Sequence, residues 1–160
     1  MPKHKELLQE FEGTALSAGS AERLMQIISQ RIHEEMIRYN WIGFFLLDSS
    51  SPNVLVLGPY AGSLSPQPSI SINEGLCGAA ASTGKTIVVD DVAGDPRYFS
   101  ALELTKSEIV VPIFVSGKVV GVIDVNSYFK ATFSKTEREF VEACAGLVGR
   151  CFKASQVAVP

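Results

Sequence analysis

The sequence predicts an α+β protein in which terminal helices pack on one face of a central antiparallel sheet. Three observations carry that expectation. Apolar residues recur at helical spacing near both ends, strand-length apolar runs fill the middle, and two of those runs flank Ser116-Gly117, a two-residue connection of the hairpin kind. Hairpins imply antiparallel pairing, and the helices then have one sheet face to cover.

Taken in order, Leu7, Leu8 and Phe11 suggest a short amphipathic helix. A second is better marked: Ser20 is its cap, Leu24, Ile27, Ile28, Ile32 and Met36 form its stripe, and Asn40 closes it. Trp41–Leu47 is aromatic and apolar, ends at Asp-Ser-Ser-Ser-Pro-Asn, and reads as a buried strand followed by a turn. Val54–Leu57 is a second strand, Gly58–Pro68 a loop rich in Gly, Ser and Pro, and Ser69–Ile72 a short strand. Small residues from Gly75 to Thr83 suit a tightly packed helix, and Thr86–Val89 makes a further strand. Asp90–Lys106 has turn residues and weak periodicity, which predicts a long loop with room for a short helix. Such loops in compact domains are often functional. Ile109–Val115 and Lys118–Val125 form the hairpin. Ser134 and Glu137 spell a capping box, with Phe133 at the staple position, for a last helix through Phe140, Val141, Cys144, Leu147, Val148 and Cys151. No repeat or linker divides the chain, so 1–160 is expected to form one domain with its core at about 20–153.

Composition narrows the function classes. With 46% apolar and 19% charged residues the balance is globular, and 160 residues suffice for a core without staples. A net charge of −3 and scattered Lys and Arg argue against nucleic acid, which needs a basic footprint. No apolar run approaches the roughly 20 residues of a membrane span, and the opening residues lack a signal-peptide core. Cys77, Cys144 and Cys151 form no Cys-x-x-Cys pair and suit a reducing, cytoplasmic setting. Cys144 and Cys151, seven apart on one helix, stand about 10 Å apart along its axis, beyond disulfide reach, and read as core. Two histidines, His4 and His33, offer zinc little, so no metal site is expected. Gly84-Lys85-Thr86 is not a phosphate loop: Ala79 stands where the motif needs glycine, and a helix precedes it where a strand should. Gly84 reads instead as a helix end.

The chemistry-bearing candidates are carboxylates in apolar surroundings. In Lys118–Ser127 a period of two puts Val120, Val122, Asp124 and Asn126 on one face, with Val119, Gly121, Ile123 and Val125 on the other. Both faces are apolar up to Asp124, which predicts an at least partly buried acid, costly unless paired or hydrogen-bonded. Pairing about Ser116-Gly117 makes residues summing to about 233 face one another, so Glu108 opposes Val125 and lies near Asp124 and Asn126. A shift of one residue would change the face that Glu108 occupies. Two readings follow. The acids together receive a cationic group such as an amine, or Glu108 lies in water at a strand end and Asp124 caps a loop. Trp41, Phe44 and Phe45 are likewise either core or the apolar wall of a small-molecule pocket.

Two segments, Glu74–Asp90 and Val111–Ser127, resemble a GAF domain. A more specific resemblance, to the free methionine-(R)-sulfoxide reductases within that superfamily, rests on Asn40–Leu47, Leu55–Gly62, Glu74-Gly-Leu-Cys-Gly78, Ser107–Pro112 and Gly121–Ser127. These motifs follow the family's order over roughly residues 20 to 150. The resemblance implies a closed pocket for a free amino acid, in which the residues at Glu108 and Asp124 hold the amine and that at Trp41 packs on the sulfoxide methyl. Asn126 stands where a second Asp is usual, and Phe45 where a Tyr hydroxyl is common; each change removes a polar handle. The cysteines depart further. The loop position of the family's nucleophilic Cys holds Ala101, another family cysteine falls near Gln67, and only Cys77 remains.

The expectation is therefore a GAF-type small-molecule-binding domain without a cofactor. Its ligand is methionine, methionine sulfoxide or a relative, bound by Glu108, Asp124 and Asn126 between apolar walls Trp41 and Phe45, under the loop Asp90–Lys106. The enzyme alternative makes Cys77 the catalytic nucleophile, helped by the positive end of its helix, with thioredoxin or a small thiol as reductant. The interaction alternative is a dimerising sensor-like module whose terminal helices pack between subunits. A homodimer is the expected assembly.

Overall fold

Ser20 does cap a helix: its Oγ accepts a hydrogen bond from the Arg23 N–H, opening α2 (Ala21–Glu35). The structure, a computed structural model, describes residues 2–63, 67–98 and 104–158. Before α2 comes α1 (Lys3–Ser17), longer than its apolar spacing suggested, with Leu7 and Phe11 buried as expected. α2 stops at Glu35 rather than near Asn40, because Met36 is already extended. Asn40 has a different task, accepting from the Tyr128 N–H through Oδ1.

The remaining elements are β1 (Trp41–Asp48), β2 (Ser51–Ala61), β3 (Ser69–Ser71), α3 (Gly75–Thr83), β4 (Ile87–Val89), β5 (Ser107–Val115), β6 (Lys118–Ser127) and α4 (Lys135–Ala158). The strands form one sheet in the order β3-β2-β1-β6-β5-β4, and every neighbouring pair is antiparallel. β2 is longer than predicted. Asp48 pairs with Ser51, so the turn is only two residues, and Gly58–Ala61 stays in the sheet instead of looping out. The outer strands are short: β3 covers Val54–Val56 of β2, and β4 covers Glu108–Val110 of β5.

Helices α1, α2 and α4 cover one face, where Phe11, Ile28, Phe44, Ile123 and Phe140 are buried together. Each such side chain contributes roughly 1.5–3 kcal/mol by leaving water. On the opposite face α3 lies over β5 and β6, above Trp41, Phe45, Val110 and Val122. Its small residues are needed there: a Cβ on Gly78 would meet the Ile72 carbonyl oxygen at 2.7 Å. Gly84 ends α3 in the left-handed conformation, as a helix-ending glycine should. Among the described residues of Asp90–Lys106 a 3-10 turn forms at Val92–Gly94.

Two further sequence expectations need correction. The Ser134 carbonyl does accept from the Arg138 N–H at the start of α4, but the Glu137 carboxylate does not close a capping box. It is held by Tyr39 Oη, which donates at 2.8 Å, and by His4 Nε2. Phe133 packs edge-on against Tyr39 instead of stapling the helix. These contacts tie α1 to α4, and a long-range partner outcompetes a local one.

The second correction is the hairpin register. Ser116 and Gly117 both have positive φ, the tight turn that matches strand twist. Next to the turn, Phe114 faces Val119, as a sum of 233 requires. Beyond it the register slips: Ile113 faces Gly121, and from there to Ser107↔Ser127 the sum is 234. Val120 is the extra residue of a β-bulge. It packs with the helix-face core, whereas Val119 joins the other face with Val122, reversing the simple alternation. Glu108 consequently faces Asn126, not Val125.

No helix among the described residues is long and apolar enough to cross a membrane.

Candidate functional site

Three adjacent strands build the site in rows. Trp41 on β1 faces Asn126 on β6, which faces Glu108 on β5. In the next row Gly43 faces Asp124, which faces Val110; in the third Phe45 faces Val122, which faces Pro112. Side chains two apart on a strand share a face. The predicted residues Trp41, Phe45, Glu108, Asp124 and Asn126 therefore all lie on the side away from the terminal helices. α3 brings Cys77 down onto the same face, so that Cys77 Sγ and carboxylate oxygens of Glu108 and Asp124 lie within 4.8 Å of one another.

All three groups are buried, at 5–6% exposure. Among the described residues no Lys, Arg or His forms an ion pair with either acid, and no basic group contributes to their titration. Burial, followed by the charge of Asp124 and a hydrogen bond with it, holds the Glu108 carboxyl well above its usual range. Asp124 is also raised by burial, while hydrogen bonds with Glu108, Cys77 and Asn126 pull it back down. Two carboxyls this close and this buried disfavour carrying two charges, and both are held above the ordinary carboxylate range. Cys77 is pushed well above the ordinary thiol range, first by burial and next by the charges of Asp124 and Glu108. The amino end of α3 favours a thiolate, but burial and two acids outweigh it.

Asn126 is fixed on both sides. Its Nδ2 donates to Asp124 Oδ1 at 3.2 Å, and its Oδ1 accepts from Thr105 Oγ1 at 3.0 Å. Thr105 is a buried member of the site that sequence reading missed, since one Thr in a long loop carries no pattern. Gly43 and Gly62 were also passed over. A Cβ on Gly43 would lie 2.3 Å from Trp41 Cη2, and one on Gly62 2.5 Å from Trp41 Cδ1. The indole lies across both glycines, stacked on Tyr60 at 5.9 Å and tilted against Phe45 at 6.2 Å.

As a donor set, Cys77, Glu108 and Asp124 offer a metal ion one thiol and two carboxylates without any histidine. A metal would require the thiol deprotonated and both acids ionised, which is the state this burial disfavours. A ligand bearing a cationic amine fits better: it brings positive charge and N–H donors to two crowded acceptors. Ala101 lies outside the described residues. Gln67 is half-buried in the segment leading to β3. Cys144 is buried and Cys151 half-buried, both as free thiols.

The GAF domain family profile matches residues 20–152. The chain belongs to the GAF domain family. Among its relatives, a Saccharomyces cerevisiae protein named free methionine-R-sulfoxide reductase is 41% identical over 112 residues, 69% of this chain and 62% of that protein. The chain thus spans less than two thirds of the yeast relative. GAF domain-containing protein A of Dictyostelium discoideum is 30% identical over 87% of this chain and 85% of its own length. The X-ray structure of free methionine-R-sulfoxide reductase from Neisseria meningitidis in complex with its substrate superposes with a TM-score of 0.90 at 32% identity. That match covers 98% of this chain and 92% of the other. The GAF architecture read from the sequence is thereby shown.

Proposed function

We propose that this GAF domain binds a small amine-bearing molecule of the methionine type, methionine or its sulfoxide, and does so without the cysteine chemistry of the reductases it resembles. The observation that carries this reading is the buried Glu108–Asp124 pair with no basic partner among the described residues. A bare acid pair is costly in an apolar site, and an ammonium group relieves it. Trp41 and Phe45 supply apolar walls suited to a thioether or sulfoxide methyl, and Asn126 steadies Asp124. Burial, which pushes the Cys77 thiol up, and the alanine at position 101 both speak against a thiolate attack. Three free thiols accord with a reducing, cytoplasmic setting.

Thermal melting and calorimetry with methionine and methionine-(R)-sulfoxide test the reading. Stabilisation of the wild type by either compound, lost in E108Q, is the expected result. If neither compound shifts melting, and E108Q behaves like wild type, the reading is overturned.

One observation favours an enzymatic variant: Cys77 Sγ lies within 4.8 Å of carboxyl oxygens of Glu108 and Asp124. In that variant Cys77 Sγ attacks the sulfoxide sulfur, and its thiol proton and one from the acid pair leave with the sulfoxide oxygen as water. A water then attacks Sγ, breaking the S–S bond so that the thioether departs, a proton returns to the acid pair, and Cys77 becomes a sulfenic acid. Thioredoxin would reduce the sulfenic acid back to the thiol, releasing water. NADPH-coupled turnover with thioredoxin and its reductase, abolished in C77S, would establish it; absence of turnover in the wild type would exclude it.

A further inference from the structure

Trp41 is 1% exposed, and its indole Nε1 is, among the described residues, the one buried side-chain nitrogen or oxygen with no hydrogen-bond partner. A buried N–H left unpaired costs free energy that an all-carbon aromatic side chain would not incur. The surrounding fold is nevertheless arranged around this ring. Gly43 and Gly62 leave it room where any Cβ would collide, and Tyr60 stacks on it. The polar group facing it across the ladder, the Asn126 amide, is already engaged by Thr105 and Asp124.

The same face thus carries two acceptors without a cation and one donor without an acceptor. Resting on the ligand-binding reading above, we infer that the Trp41 indole N–H is a specificity-determining donor that takes an oxygen of the bound molecule. The ligand class is then an amine that also carries a strong oxygen acceptor, not a simple alkylamine. Two oxygens meet that description: a sulfoxide oxygen and an amino-acid carboxylate. A thioether sulfur, a weak acceptor, does not.

The chain has one tryptophan, so its indole N–H gives a single resonance in a nitrogen-15 correlation spectrum. The spectrum is recorded with methionine sulfoxide, with methionine, and with 3-(methylthio)propylamine, which lacks both oxygens. In parallel, calorimetry compares wild type with W41F, which stays aromatic but loses the donor and part of the bicycle, and the propylamine, lacking both oxygens, controls for that lost volume. Expected are a downfield shift and slowed exchange of the indole proton on saturation, with affinity about five- to tenfold weaker in W41F. An effect confined to the sulfoxide assigns the donor to the sulfoxide oxygen. An effect shared with methionine but absent for the propylamine assigns it to the carboxylate. If methionine or its sulfoxide binds while the indole resonance stays fixed and W41F binds equally well, the inference is overturned and the binding reading stands. If the wild type binds none of the three, the binding reading falls and takes this inference with it.

Discussion

Glu108 stands opposite Asn126 across the β5–β6 ladder, and its carboxylate lies within 4.8 Å of that of Asp124 on the same face. That relationship depends on Val120. Without the extra residue Glu108 would face Val125 and point into the helix-side core. The bulge therefore places the second acid, and the acid pair sets the behaviour of the site with pH.

Glu108 is held above its unfolded value, so the folded state binds its proton more tightly than the unfolded chain does. The resulting stability is complete below the ordinary carboxylate range and is lost as pH rises toward the folded value. E108Q, which remains neutral, should be more stable than the wild type at neutral pH by on the order of 1–3 kcal/mol. Urea unfolding at about pH 4 and about pH 8 checks this. A variant less stable than wild type at the higher pH would contradict it.

Ligand binding should release a proton. An ammonium favours the fully ionised pair, whereas burial and mutual repulsion in the free site favour a proton held by the pair. Affinity is then expected to rise with pH until the ligand amine itself deprotonates. Calorimetry in buffers of different ionisation enthalpy should report release of about one proton or less. A binding heat independent of the buffer would refute the shared-proton picture.

G43A should push the indole out of place, since the new Cβ would sit 2.3 Å from Trp41 Cη2. A loss of about 1–3 kcal/mol is expected from such overpacking, with altered tryptophan emission and weaker ligand binding. G121A is the control. Its Cβ would strike the Phe45 carbonyl oxygen, which costs stability without touching the indole directly.

Thiol labelling should follow burial. Cys151, half-buried, should be alkylated first, while the buried Cys77 and Cys144 resist until the protein unfolds. Mass spectrometry of alkylated peptides over time measures the order. Rapid labelling of Cys77 in the native protein would point instead to a reactive thiolate.

Much of the fold was legible because periodicity reports burial. The stripe of α2, the runs of β1 and β6, and the small residues of α3 each predicted the element that formed. What misled was chemistry satisfied at long range. Glu137 looked like a local cap but belongs to Tyr39 and His4. Asn40 looked like a helix stop but holds Tyr128. The acids were found as candidates, yet their shared face was not derivable, because a bulge of one residue leaves no compositional mark in Lys118-Val-Val-Gly. The glycines under Trp41 were equally silent, since their role is to be absent.

The short outer strands have a consequence for how the molecule behaves when crowded. Among the described residues β3 and β4 each pair with three residues of the strand beside them, with Asn53 and Leu57 also bonded to Ile72 and Pro68, and the rest of β2 and β5 has no strand partner on that side. Such open edges are templates on which a second chain can add a strand. Each uncovered stretch contains a proline, Pro59 in β2 and Pro112 in β5. A proline has no N–H to offer, so a chain docking there meets a gap in the ladder. The protein thus guards itself against strand-by-strand aggregation along the two lines where its sheet is unfinished.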